Sequence, residues 1–333
     1  MDGHLSAPRR AVSGVPQGSV LGPRMFTLYV NELPGLLSSR CLMFADDIKI
    51  WRTVNSEEDV NLLQEDLNVI EQWATSNRLP VNPDKSSVMR IGHGGHAPHY
   101  AMNGTPLQVT DCTRDLGVLI QGNLKTGSQT QSARAKGLRV LWALRRTFTC
   151  WSPRVFLKIH KAIVRPVLEY GAPAYHPCTL GEAVQLERVQ RLGTRLVPEL
   201  RGLTYSQRCA MLDLFTLAYR RLRADLLMLY RVVVRRDHPD LASFLKLSHE
   251  PRTRGHPYKL EIQRSDNLPH IYRWSRRAVV VWNNLPEDVV RSGTVTLFKE
   301  RLDSTLWPKL NNPDVCNVTD TLSTLLERWK VND

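Results

Sequence analysis

The sequence predicts an α+β fold, with a mixed front of about 120 residues leading into a mostly helical back. Three observations carry this. Short strand-like and helical segments alternate with Gly/Pro punctuation up to residue 120, and helical periodicity dominates from 130 onward. The charge also changes sign between the two parts. Residues 1–120 hold 10 basic and 13 acidic side chains, whereas 121–236 hold 21 basic and 6 acidic. A composition of 42% hydrophobic and 23% charged residues excludes a disordered chain, and no apolar run reaches the roughly 18–20 residues of a membrane span. The opening MDGHLSAPRR has no apolar stretch of the secretory kind, so an intracellular chain, nuclear or cytoplasmic, is expected.

In chain order, 13–23 (SGVPQGSVLGP) reads as a rigid irregular loop opening into a helix over 24–37, with Met25, Leu28, Tyr29 and Leu33 at helical spacing and Pro34-Gly35 as its stop. Residues 41–51 (CLMFADDIKIW) carry two apolar runs around Ala45-Asp46-Asp47, the pattern of a β-hairpin with acids at its tip. Residues 56–78 form the clearest helix. Ser56 and Asp59 suit a capping box, and Val60, Leu63, Leu67, Ile70 and Trp73-Ala74 form its buried stripe. A strand pair is expected at 79–82 and 86–92, a loop at 92–100, another strand at 116–120 and a linker at 121–129. Helices follow at 131–147, at 153–170 with a break at Pro166, at 182–197 and at 208–235. The last elements are 276–286 and a short helix near 320–330.

The residues that suggest chemistry are few. Adjacent carboxylates at a hairpin tip repel unless a cation lies between them, and hard oxygen ligands suit Mg²⁺. Asp46-Asp47 is therefore a candidate phosphoryl-transfer metal site, although acidic surface turns are common. In the 13–23 loop, Gly18 permits close backbone approach to a ligand, Gln17 offers an amide to a base or sugar, and a helix start suits phosphate; a plain structural turn is the alternative. His93, His96 and His99 lack Cys or acidic companions, which favours a solvated loop over a metal site. The six cysteines form no CxxC pair and fit a reducing compartment. Arg188, Arg191 and Arg195 line one side of their helix, either as a solvated face or as a contact for a polyanion backbone.

Taken in order, GVPQGSVLGP, FADD, LPVNPDKS and DLGV resemble the reverse transcriptase of non-LTR (LINE-type, CR1/jockey-like) retrotransposons. The resemblance continues through LRVLWALRRTF and QLERVQRLGTRLV to RWSRRAVVVWNNLPEDVV and TLFKERLD near the end. It implies an incomplete right-hand polymerase palm over 1–120, a helical basic thumb over 121–240 and a C-terminal extension over 241–333. By the same resemblance, Asp46 and Asp47 are catalytic metal ligands, and two Mg²⁺ ions occupy the complete site. Pro16, Gln17, Gly18 and Ser19 meet template and nucleotide. Lys85 assists the leaving pyrophosphate, with a surface lysine as the alternative. Leu116, Gly117 and Val118 form a primer-grip strand, and Arg188, Arg191 and Arg195 meet the nucleic-acid backbone.

The implied partners are an RNA template, a DNA primer and deoxynucleoside triphosphates, with no membrane. The family site needs a third carboxylate upstream of the PQG loop, where Asp2 is the sole acid in the first 12 residues. A truncated copy, inactive alone, is the resulting expectation. A non-catalytic RNA or RNA–DNA binding module and a degenerate remnant without function are the competing ones.

Overall fold

The computed structural model describes residues 14–16, 18–92, 98–177, 179–248, 255–262 and 273–310. These divide into two units, one of residues 1–90 and 94–110, the other of 91–93 and 111–333. About half of the chain is helical and its sheets are small.

In the first unit, helix α1 (Gly22–Val30) runs into a 3-10 turn at Leu33–Leu36, where Pro34 suits the first turn of a helix. The expected helix is present, but of the four residues at helical spacing only Leu33 is on the buried side. Met25, Leu28 and Tyr29 are exposed, while Phe26, Val30 and Leu33 pack inward. Strands β1 (Arg40–Phe44) and β2 (Asp47–Trp51) pair antiparallel from Arg40↔Trp51 to Phe44↔Asp47.

Helix α2 (Glu57–Ser76) starts at the expected capping box. Asp59 N–H donates to Ser56 Oγ, and the Asp59 carboxylate accepts from Ser56 N–H. Its stripe of Leu67, Ile70, Trp73 and Ala74 is buried, with Val60 and Leu63 packed beside it. Tyr100, Met102 and Leu107 complete this core. Met102 belongs to the β4–β5 hairpin (Ala101–Met102 and Thr105–Pro106). Gln64 of α2 pairs with Ala101 as a strand would, donating to its carbonyl at 2.8 Å and accepting from its N–H at 2.9 Å.

The strand pair expected at 79–92 is a correction. Residues 79–82 are not a strand, because Asn82 Oδ1 accepts from Asp84 N–H at 2.9 Å and closes a turn, and Pro83–Lys85 form a 3-10 helix. Of 86–92, only β3 (Ser87–Val88) is a strand, paired parallel with β6 (Gln108–Val109). His93, His96 and the expected helix near 320–330 lie outside the described residues.

The second unit opens with the hairpin of β7 (Cys112–Asp115) and β8 (Val118–Gln121). Helix α3 (Gly127–Thr147) begins four residues before its expected start. Next comes one continuous helical rod made of α4 (Pro153–Ile159), a π turn (His160–Val164) and α5 (Arg165–Glu169). Pro166 does not break it. The preceding wide turn accommodates a residue that has no N–H and that would crowd the carbonyl four residues back.

Helices α6 (Leu180–Thr194), α7 (Tyr205–Met211) and α8 (Leu217–Leu229) follow, each started by a threonine cap. A short helix α9 (Pro239–Ala242) precedes α10 (Trp274–Asn283), α11 (Glu287–Val290) and α12 (Val295–Leu310). Trp282, Tyr219, Tyr230 and Phe298 form the largest core here, between α8, α10 and α12. A second core joins α3, α5 and α6 through Leu141, Leu168 and Val189. No helix among the described residues is long and apolar enough to cross a membrane.

Candidate functional site

The β1–β2 loop has two residues, Ala45 and Asp46, and Ala45 takes φ 54° to make the reversal. Asp47 is already the first residue of β2, paired with Phe44, so the two carboxylates stand at the tip itself and not within a three-residue link. Both are exposed, and neither has a hydrogen-bond or ion-pair partner among the described residues.

The strands alternate as a half-buried hairpin must. Cys41, Met43, Ile48 and Ile50 are shielded, while Leu42, Phe44 and Trp51 lie exposed on the same side as Asp47. Sequence reading did not single out the group that fixes the base of this hairpin. Asp66, buried in α2, accepts from Ser38 N–H and Ser39 N–H at 2.8 Å each and from Ser38 Oγ–H at 3.0 Å. Burial pushes the Asp66 carboxyl up, but these bonds outweigh it and hold the group below the usual carboxylate range. Arg52, just past β2, donates to Ser39 Oγ at 3.1 Å and to Ser38 Oγ at 2.7 Å, and lies 3.8 Å from Asp59. One helix thus holds both ends of the acidic hairpin. The signal available in the sequence was an acid inside the otherwise apolar stripe of α2.

The 14–23 loop is a tight turn. Ser19 N–H and Oγ–H both donate to the Pro16 carbonyl, at 3.3 and 2.8 Å, and Ser19 Oγ accepts from Gly22 N–H at 2.9 Å. Gly18 sits at φ +80°, which favours glycine, and a Cβ there would meet nothing within 4 Å, so its face is open. Gln17 lies outside the described residues. Lys85 ends the 3-10 turn after α2 and is exposed. These three segments share the first unit, and no hydrogen bond or ion pair among the described residues links them.

The remaining expected residues belong to the second unit. Leu116 and Gly117 are not strand residues; they form the β7–β8 turn at φ 44° and 84°, and Val118 opens β8. Tyr170 Oη–H donates to the Leu116 carbonyl at 2.7 Å and fixes that turn. Arg188 and Arg195 are exposed, but Arg191 is not a free surface cation. Its guanidinium lies 5.1 Å from the Tyr205 ring centroid, and Arg208 lies 5.7 Å from the same ring.

Much of the arginine excess is internal. Arg208, Arg221 and Arg277 are buried, Arg220 pairs with Glu169, and Arg223 pairs with Asp303 at 2.6 Å. Among the described residues no group of three or more His, Cys, Asp or Glu side chains is placed to hold a metal ion.

Residues 1–135 match the family described as "Reverse transcriptase (RNA-dependent DNA polymerase)". The chain is 27% identical over 222 residues to the RNA-directed DNA polymerase from mobile element jockey of Drosophila funebris, which covers 62% of this chain and 24% of that protein. It is 26% identical over 199 residues to the jockey protein of Drosophila melanogaster, covering 53% and 20%. It is 26% identical over 206 residues to the probable RNA-directed DNA polymerase from transposon X-element of the same fly, covering 58% and 22%. The matched segment therefore spans about a quarter or less of each relative's length. No solved structure matches the chain.

Proposed function

We propose a function from one premise: the chain is a segment of a reverse transcriptase of the non-LTR retrotransposon type. On that basis, the polypeptide carrying it extends a DNA primer on an RNA template, adding nucleotides from deoxynucleoside triphosphates and releasing pyrophosphate. The observation that carries this reading is the pair Asp46 and Asp47, open to solvent and without internal partners at the tip of a two-residue hairpin.

Their donor chemistry fits Mg²⁺, which takes one or two protein carboxylates and completes its shell with water and phosphate oxygens. Bound there, Mg²⁺ would offset phosphate charge and favour the ionised primer hydroxyl. The chain's own residues do the rest by position. Asp66 and Arg52 brace the hairpin so that both carboxylates keep their place. The Pro16–Ser19 turn presents an open backbone beside Gly18 to nucleotide and template. Lys85, exposed on its own turn, is available to the pyrophosphate. In the second unit, the Leu116–Val118 turn grips the primer end, and Arg188 and Arg195 meet the phosphate backbone. The exposed Leu42, Phe44 and Trp51 are the side on which further parts of a longer polymerase pack.

A binding module without catalysis, or a remnant without function, draws no support from these three relatives, each named as a polymerase. The test is primer extension on an RNA template by the polypeptide carrying this segment, with Mg²⁺ titration. Asp46→Asn is expected to abolish extension and Asp47→Asn to raise the Mg²⁺ requirement; extension unchanged in both variants would refute the site.

A further inference from the structure

Helix α3 contains no acidic residue along GSQTQSARAKGLRVLWALRRT. Ala133, Gly137 and Leu141 face the core, while Ala135, Lys136, Arg139, Trp142, Ala143, Arg145 and Arg146 are exposed. Arg139, Trp142 and Arg146 fall at i, i+3 and i+7, one face spanning about 10 Å along the axis. Trp142 stands outside all four apolar cores and is 37% exposed. The Arg145 guanidinium lies 5.2 Å from its ring centroid. None of Lys136, Arg139, Arg145 and Arg146 has an ion-pair partner among the described residues.

A solvated helix face ordinarily mixes both signs of charge and does not display a tryptophan. This one sets a partly exposed indole, with Arg145 over its ring, among cations that lack an ion-pair partner among the described residues. Single-stranded polynucleotides are held by that combination, with a base on an aromatic ring and phosphates on cations around it. A duplex hides its base faces in its own stack and has no use for the ring.

We propose that this face of α3 is a landing site for single-stranded nucleic acid, with Trp142 stacking one unpaired base and Lys136, Arg139 and Arg146 neutralising the neighbouring phosphates. Arg145, lying over the ring, helps to hold it in place. The site shares no residue with the acidic hairpin and does not depend on the polymerase reading. It also differs from the duplex contact assigned to Arg188 and Arg195.

The test is fluorescence anisotropy on the full chain with labelled oligouridylate, oligothymidylate and a duplex of equal length. Trp142→Ala is expected to weaken both single strands about tenfold or more, change duplex binding by less than about twofold, and leave the salt dependence unaltered. Trp142→Phe restores most of the affinity. Arg139→Gln and Arg146→Gln each lower the single-strand salt slope by about 0.7. Tighter binding of oligouridylate than of oligothymidylate assigns the site to RNA, and equal binding to either strand. Binding is measured without Mg²⁺ or deoxynucleoside triphosphates, so failure here is distinct from failure of the polymerase site, which primer extension reads. Unchanged single-strand affinity in Trp142→Ala, an equal loss on duplex, or capture of phosphatidylserine vesicles that single strands do not displace would overturn the proposal.

Discussion

Replacing Asp225 should destabilise the second unit more than replacing either arginine that faces it. Asp225, Arg277 and Arg221 are all buried, at 0%, 3% and 3% exposure. Arg277 donates to both Asp225 oxygens at 2.8 Å and to the Pro173 carbonyl at 3.2 Å. Arg221 donates to the Leu168 carbonyl at 2.6 Å and to Tyr175 Oη at 3.0 Å, and its Nε and Nη1 are buried without partners. Burial holds the nearby His176 imidazole well below its usual range, helped by both arginines, so it stays neutral. Asp225 is thus ion-paired with Arg277 and attracts Arg221 without a direct bond.

Asp225→Asn removes the carboxylate that pairs with Arg277 and attracts Arg221, and should cost about 3–5 kcal/mol. Arg277→Met leaves Asp225 facing Arg221 and should cost less, about 2–3 kcal/mol. Arg221→Met removes the cation with the least compensation and should lie within about 1 kcal/mol of the parent. Urea unfolding followed by far-ultraviolet circular dichroism ranks the three, with the m-value checked for each because the chain has two units. If Arg277→Met proved as costly as Asp225→Asn, or Arg221→Met the costliest, the picture of one carboxylate serving two buried cations would be wrong.

Three further outcomes follow from single sites. Burial lowers the His160 imidazole to about 4, against the opposing bond to Gln190, so the unfolded chain binds its proton first and stability falls as pH drops from about 6.5 to 4. The stability difference between wild type and His160→Gln should shift by about 3 kcal/mol over that window; thermal melts showing a pH-independent difference would contradict it. Asp66→Ala should loosen the base of the acidic hairpin by about 3 kcal/mol, read as lost amide protection at residues 38–44, because three donors lose a buried acceptor. Gly117→Ala should cost about 1–2 kcal/mol, since φ is +84° and the new Cβ would lie 3.1 Å from Tyr170 Cε1; a neutral melt would show that the β7–β8 turn tolerates a side chain.

The legible parts of the sequence were those where a local rule and tertiary packing agree. The Ser56–Asp59 box and the stripe from Val60 to Ala74 specify α2 without outside help, and the FADD hairpin follows from two apolar runs around the link Ala45-Asp46-Asp47, which pairing of Asp47 with Phe44 shortens to two residues. Elsewhere local pattern and packing part company. Of the Met25–Leu28–Tyr29–Leu33 stripe only Leu33 is buried, because helical spacing defines a face and does not say which face the rest of the fold covers. The 79–82 strand was lost to an Asx turn at Asn82, a side-chain bond that competes with strand pairing. Pro166 reads as a break until the π turn before it is seen. The roles of Asp66 and Glu187 were hidden for a related reason. Each is an acid within an amphipathic helix, and only the fold reveals that Asp66 holds Ser38 and Ser39 while Glu187 accepts from Leu217 N–H at 2.9 Å.

The net charge of +13 cannot be read directly as affinity for a polyanion. Buried or paired arginines release no counterions from a nucleic acid, because their charge is already spent inside the fold. Arg208, Arg221 and Arg277 are enclosed, Arg220 and Arg223 are matched by Glu169 and Asp303, and Arg191 lies over Tyr205. What remains on the surface is not spread evenly. Arg188 stands on α6 and Arg195 caps its C-terminal end, and Lys136, Arg139, Arg145 and Arg146 crowd α3, whose 21 residues include no acid. The salt dependence of binding should therefore respond to substitutions on α3 and α6 and ignore conservative ones at Arg220 or Arg223. Binding weakened by those internal arginines should instead track loss of the folded second unit.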